Sequence, residues 1–381
     1  MLRRLVANSL VVATVFATAE PVESARRPKY GGMLRVEIGA VVRSLDPASA
    51  VATLEEAAAK DDLDSLLYEG RSPEGTYTGV IGSGPFRVAE WKPGQRVVVV
   101  ANENFREGRP FVDSVEIQMG RAARDRLLDV ELDRADVAEI PPEEVRRAVE
   151  RGVRVSVSLA DELVAIVFVP GRAAAEDARS REALSRSIDR AAIVNFILQK
   201  QGEPAGGLLP QWSSGTAFLF STTVDTTEAR NIWSEFGGPR RIVLGYDAND
   251  SLEQSIAERI AVDAREAGGS VTVVATKPGT ASVNTDVRFV RLPMASRDPR
   301  EALAAYISIL APIIGVNADP RPATTPQQIY DAERAIVSTY RVVPLVWLPR
   351  AYGLGSRVRN WKAPATGAGW PFADVWLGEA E

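Results

Sequence analysis

The sequence contains no cysteine and no histidine. Without cysteine there are no disulfides, no thiolate metal sites, no cysteine nucleophile and no lipid-bearing cysteine behind a leader. Without histidine the commonest general base and metal ligand is missing, so neither a Ser-His-Asp triad nor an imidazole zinc site can be built. Lysine is scarce: six of the 45 basic residues, at positions 29, 60, 92, 200, 277 and 362. A GC-rich coding bias accounts for that imbalance without any functional cause. The net charge of −5 argues against a nucleic-acid binder. No internal repeat or low-complexity tract is present, and after the N-terminus no apolar run approaches membrane-spanning length.

The 381 residues suffice for two or more packed lobes, and the 45% hydrophobic and 25% charged content is ordinary for a soluble globular chain. Residues 1–19 read as a secretory signal. Arg3 and Arg4 precede a short apolar stretch, Leu5 to Phe16, and Ala17-Thr18-Ala19 offers small residues for cleavage. The alternative is an uncleaved N-terminal anchor.

Runs rich in Val and Ile alternate with helical patterns, which predicts an α/β class. Expected strands are Leu34–Ile38, Arg96–Ala101, Val115–Met119, Val153–Leu159, Leu163–Val169, Arg241–Tyr246, Ser270–Ala275, Val287–Arg291 and Val342–Leu348. Ser251 with Gln254 reads as a capping box, followed by Leu252, Ile256 and Ile260 on one face. Thr325 with Pro326 repeats that pattern. Ser180 to Leu198 is helical, and Asp189 within it is placed to cap a second helix. The adjacent pairs Asp61-Asp62 and Glu143-Glu144 diverge on a helix and read as solvated faces.

Short segments occur in fixed order along the chain: Gly31-Gly32-Met33-Leu34-Arg35-Val36, Ser44-Leu45-Asp46-Pro47, Gly82-Ser83-Gly84-Pro85-Phe86-Arg87-Val88 with Trp91-Lys92-Pro93-Gly94, Asn104-Phe105 and Gly108-Arg109-Pro110. Arg181-Glu182-Ala183-Leu184, Ile188-Asp189-Arg190, Val343-Pro344-Leu345 and Arg357-Val358-Arg359-Asn360-Trp361 continue it. This order resembles the dipeptide/oligopeptide/nickel family of periplasmic solute receptors of ABC importers (bacterial extracellular solute-binding proteins, family 5). The resemblance implies a periplasmic-binding-protein type II fold, with two α/β lobes hinged around a cleft. It implies a first lobe of residues 30–168 with 350–381 and a second of 169–349, crossed at Leu163–Arg172 and Arg341–Tyr352.

Two departures stand out. Only 34 residues separate Pro47 from Gly82; most members carry an extra subdomain there, so the resemblance implies that it is largely missing here and the cleft is expected to be more open on one side. Tyr68-Glu69-Gly70 and Thr76-Tyr77-Thr78 only faintly resemble its signature. In place of the aspartate that holds a peptide amine stands Ala295, which leaves Asp298 as the substitute and puts free-peptide binding in question.

The residues expected to bind a ligand are Ser83, Phe168, Trp212, Arg297, Asp298, Trp347 and Arg350. Ser83 lies in a turn expected to face the cleft. Phe168 stands where the family often has Asn, which implies a more apolar cleft. Trp212 is an aromatic in a polar loop, Trp347 can stack on a ligand and Arg350 can hold a carboxylate. Phe168 and Trp347 read equally as core residues, Trp212 as a loop anchor and Arg350 as a solvated charge. Trp91, Trp361, Trp370 and Trp376 are expected to pack the first lobe.

The expected function is capture of a small organic solute or peptide between lobes and its delivery to an ABC permease. The partners are that solute and the permease subunits, with no nucleic acid and no membrane contact except through the permease. No cofactor, metal or catalytic residue is expected, and the protein is expected to be a periplasmic monomer without a lipobox. The alternative is a degenerate member acting as a non-transport sensor or protein-binding module.

Overall fold

The computed structural model describes residues 28–45, 54–67, 83–214, 220–237, 240–277, 285–316 and 325–379. The signal-like segment, Asp46-Pro47, Tyr68-Glu69-Gly70, Thr76-Tyr77-Thr78 and Gly82 lie outside them. The first third of the chain forms β1 (Met33–Glu37), α1 (Leu54–Leu67), β2 (Phe86–Lys92), β3 (Arg96–Ala101), β4 (Ser114–Gln118), α2 (Ala123–Glu131), β5 (Val137–Ile140) and α3 (Val145–Glu150). In β3 the four consecutive valines alternate: Val97 and Val99 are buried and Val100 is exposed. β1 pairs in parallel with β4 and β5, while β2, β3 and β4 form an antiparallel meander. β2 is the β-type run expected after Pro85, whereas β5 was not expected: it is only four residues long and carries Glu139.

Next comes β6 (Arg154–Phe168), a single 15-residue strand where two shorter ones are expected from sequence. It leads into α4 (Ala173–Glu176), α5 (Ala178–Ser187), α6 (Arg190–Ala192), β7 (Glu203–Pro204), α7 (Gln211–Ser214), α8 (Thr226–Glu235), β8 (Arg241–Asp247), α9 (Ser251–Glu266), β9 (Ser270–Thr276), β10 (Val287–Pro293), α10 (Pro299–Ile314) and α11 (Pro326–Val337). β11 (Val342–Leu354) then runs back antiparallel to β6 over nearly its whole length. A short pair, β12 (Val358–Arg359) and β13 (Trp376–Leu377), ends the chain.

Caps set the helix starts. Asp189 accepts from the Ala192 N–H at 2.9 Å, as its position predicts. Thr325 likewise caps α11 through the Gln328 N–H at 3.2 Å. At α9 the cap is Asp250 rather than Ser251. Its carboxylate, charged and one residue earlier, takes the Leu252 and Glu253 N–H groups at 2.9 Å each, while Gln254 donates forward to Glu258.

One mixed sheet orders the strands β2-β3-β4-β1-β5-β11-β6-β10-β8-β9, with β7 on β11. The side chains nevertheless sort into separate cores. Residues between Leu34 and Val153, joined by 351–375, form two clusters that hold Trp361 and Trp370. Trp91 packs against the larger of them and Trp376 is buried. Residues between Ala160 and Leu348 form two more, one on each face of the second lobe's sheet. The cores therefore part between Val155 and Ala160 on β6 and between Leu348 and Ala351 on β11. On β6 this border precedes Phe168, because Leu163–Phe168 is already paired with β10. β6 and β11 are the strands that run through both halves.

Candidate functional site

Where β6 and β11 leave the second lobe, their register slips between Leu348 and Pro349 and again between Pro349 and Ala351. Such irregularities re-aim side chains and are common beside functional sites. Arg350 sits at this point. Its backbone N–H donates to Ser158 Oγ at 2.9 Å. Its guanidinium reaches Asp62 Oδ2 on α1 at 3.4 Å and Asp161 Oδ2 on β6 at 3.7 Å. Thr366 Oγ1 donates to that same Asp161 oxygen at 2.9 Å. Burial opposes the charge on Arg350, but Tyr352, Asp62, Asp161 and Glu139 more than offset it and raise its pKa. Burial pushes the Asp161 carboxyl up, with Arg350 and Thr366 acting against the shift.

A second polar group lies along the same border. Arg291 on β10 donates to both oxygens of Glu162, at 2.9 Å each, and to Asp250 Oδ2 at 3.0 Å. Glu143, from the first lobe, is within the electrostatic reach of Asp250 and Arg291; burial first, and Asp250 next among the charges, raise its pKa. Glu253, whose Oε2 accepts the Asp247 N–H at 2.8 Å, is pushed up to about 7, chiefly by burial.

The two halves also touch through backbone. Gly367 has φ +70°, and a Cβ there would lie 2.7 Å from the Ala295 carbonyl oxygen. Within the first lobe, a Cβ at Gly369 would collide with Ser65 on α1. α1 is buried on more than one side. Ala59, Leu63, Leu66 and Leu67 enter the first-lobe core, while Asp62 turns to Arg350. The interval between Pro47 and Gly82 thus holds a helix, α1, packed along the border.

The expected ligand residues scatter. Ser83 is exposed. Phe168 is fully buried in the second lobe's core, opposite Val287, so it presents no face to a solute. A central strand between β10 and β11 is covered on both faces, and the apolar run Leu163–Phe168 reflects that. Arg297 is exposed. Asp298 caps α10 through the Arg300 N–H and pairs with the Arg300 side chain, whose hydrogen bonds hold its carboxyl down to about 2. It is committed to its own helix start. Trp347 is buried beside Tyr306, ring centroids 6.5 Å apart, on the face opposite Phe168. Only Trp212 and Arg350 converge: Trp212 Nε1 donates to the Ala160 carbonyl at 3.0 Å, next to Asp161.

Asp62, Asp161, Glu162, Arg291 and Thr366 were missed, and Asp62 and Glu143 are not the solvated charges that their spacing predicts. Asp62 is 8% exposed. One signal was available: Asp161-Glu162 places two charges directly before the apolar run Leu163–Phe168 of the same strand. A strand pays for such residues only where partners await them.

The model of bacterial extracellular solute-binding proteins, family 5, matches residues 47–298. The oligopeptide-binding protein AppA of Bacillus subtilis is 30% identical over 145 residues, 38% of this chain and 25% of that protein. The probable D,D-dipeptide-binding periplasmic protein DdpA of Escherichia coli is 28% identical over 218 residues, 56% of this chain and 40% of that protein. The matches thus span well under half the length of either curated relative. Among solved structures, the periplasmic binding protein DppA of Helicobacter pylori, in complex with the peptide STSA, superposes with a TM-score of 0.72 at 12% identity, covering 92% of this chain and 99% of that one. That likeness carries the two-lobed fold. With the family model matching most of the sequence, the chain belongs to the bacterial extracellular solute-binding proteins of family 5.

Proposed function

We propose that this protein is an exported, periplasmic receptor that captures a small organic solute or peptide at the border between its lobes and delivers it to an ABC-type permease. It is not an enzyme in this reading, and it acts as a monomer. The observation that carries the proposal is the polar seam at the strand crossing. Arg350, Asp62, Asp161 and Thr366 come from both halves and meet where β6 and β11 run through, the only strands to do so among the described residues. A solute that contacts both halves binds their closed arrangement better and shifts the population toward it. Arg350 and Trp212 are the residues we assign to solute contact, with Asp161 beside them.

Calorimetry with a panel of di- to pentapeptides and small organic solutes tests the reading, with small-angle scattering on each pair. Binding that shrinks the radius of gyration, and that Arg350→Met abolishes, is the expected result. A shape indifferent to every solute, and no solute retained when protein from its own host is weighed by native mass spectrometry, would overturn it. One observation favours a second reading, a family member that no longer transports. Asp62 already holds Arg350, and Gly367 already abuts Ala295. A seam so filled suits a sensor or a protein-binding module.

A further inference from the structure

A cavity of about 270 Å³ opens in the second lobe between the β7–α7 loop and helix α11. Its inner wall is Trp347, Leu209 and Gly207, all buried, with Glu333 among them at 1% exposure. Phe220 closes one side and is itself backed by the Tyr330 ring, centroids 5.7 Å apart. Glu203 stands at the exposed rim, beside Pro204.

Glu333 is held, not loose. Its Oε1 accepts the N–H groups of Leu208 and Leu209 at 2.5 and 3.0 Å. The loop comes this close because residue 207 is glycine: a Cβ there would lie 2.3 Å from Oε1. Among the described residues no donor reaches Oε2, and no lysine or arginine lines the cavity. The chamber therefore combines aromatic faces, two carboxylates and no cation of its own. Aromatic rings and a desolvated carboxylate both favour a positive charge, and the apolar wall favours a hydrophobic body.

We propose that this cavity is a binding site for a small organic ammonium ion with an apolar body, Glu333 serving as counter-ion and Trp347 and Phe220 as the aromatic wall. The ammonium donates to Glu333 Oε2 while Oε1 keeps its two backbone donors. Burial pushes the Glu333 carboxyl up to about 7, and a bound cation relieves that penalty. None of Arg350, Asp62, Asp161 and Trp212 lines it.

Titration calorimetry on the full chain with benzylammonium chloride, and with benzyl alcohol as the uncharged control, tests the proposal. Benzylammonium binds at least about tenfold more tightly than the alcohol, the worth of a charge-assisted hydrogen bond. Glu333→Gln, which keeps the shape and an acceptor for both N–H groups, abolishes that preference. Thr222→Arg, at the half-buried edge of the cavity, places a guanidinium where the ammonium sits and removes binding even if the first variant folds poorly. Equal affinity for the two probes, a preference that survives Glu333→Gln, or no heat with benzylammonium up to about 10 mM overturns it.

Discussion

Replacing Glu333 by Gln has a stability effect whose sign and pH window follow from its surroundings. The carboxyl is 1% exposed and its pKa is raised from 4.5 to about 7, chiefly by burial, with the Leu208 and Leu209 N–H groups acting against the shift. Between those two values the folded protein keeps a proton that the unfolded chain has released. Stability is therefore full below about pH 4.5 and falls as pH rises through 7. A shift of about 2.5 units at about 1.4 kcal/mol each gives a loss of about 3 kcal/mol by pH 8. Gln cannot ionise, and its carbonyl oxygen can accept both N–H groups. The variant should match the parent to within about 1 kcal/mol at pH 5 and exceed it by about 3 kcal/mol at pH 8. Urea denaturation at half-unit intervals from pH 5 to 8.5 measures this difference. Glu37 and Glu253, also raised to about 7, leave a residual slope in both proteins. A difference between variant and parent that is flat across the range would refute the reasoning.

Three other substitutions probe the fold and the seam. Asp136, 1% exposed, accepts from Arg35 Nε at 2.9 Å and from Arg357 Nε at 2.7 Å, tying β1 to the returning chain; Asp136→Asn should cost about 3 kcal/mol in urea denaturation. Arg350→Met leaves Asp62 and Asp161 without their cation and should cost about 2 kcal/mol, and adding Asp62→Asn should recover part of it; purely additive losses would show that the pair is not coupled. Gly367→Val forces a β-branched residue into φ +70° against the Ala295 carbonyl, so it should destabilise by about 2 kcal/mol and enlarge the radius of gyration measured by scattering.

What the sequence by itself determined is the local and the periodic. Its valine-rich runs marked most strands, and Asp189 and Thr325 marked helix starts, because a cap and an alternating strand are satisfied within a few residues. The order of its short segments also placed the chain in its family. Which charges are buried was settled only by tertiary structure. Asp62 and Arg350 are 288 positions apart and Thr366 and Asp161 are 205 apart, so no local spacing could pair them. The same limit explains Phe168 and Trp347. A strand's apolar run looks alike whether it lines a cleft or fills a core, and only the packing of β10 and β11 on β6 decided that Phe168 is enclosed. Glu333 reads as one charge on an amphipathic helix; the β7–α7 loop folding over it is what removes water and turns it into a buried acid beside two aromatic rings.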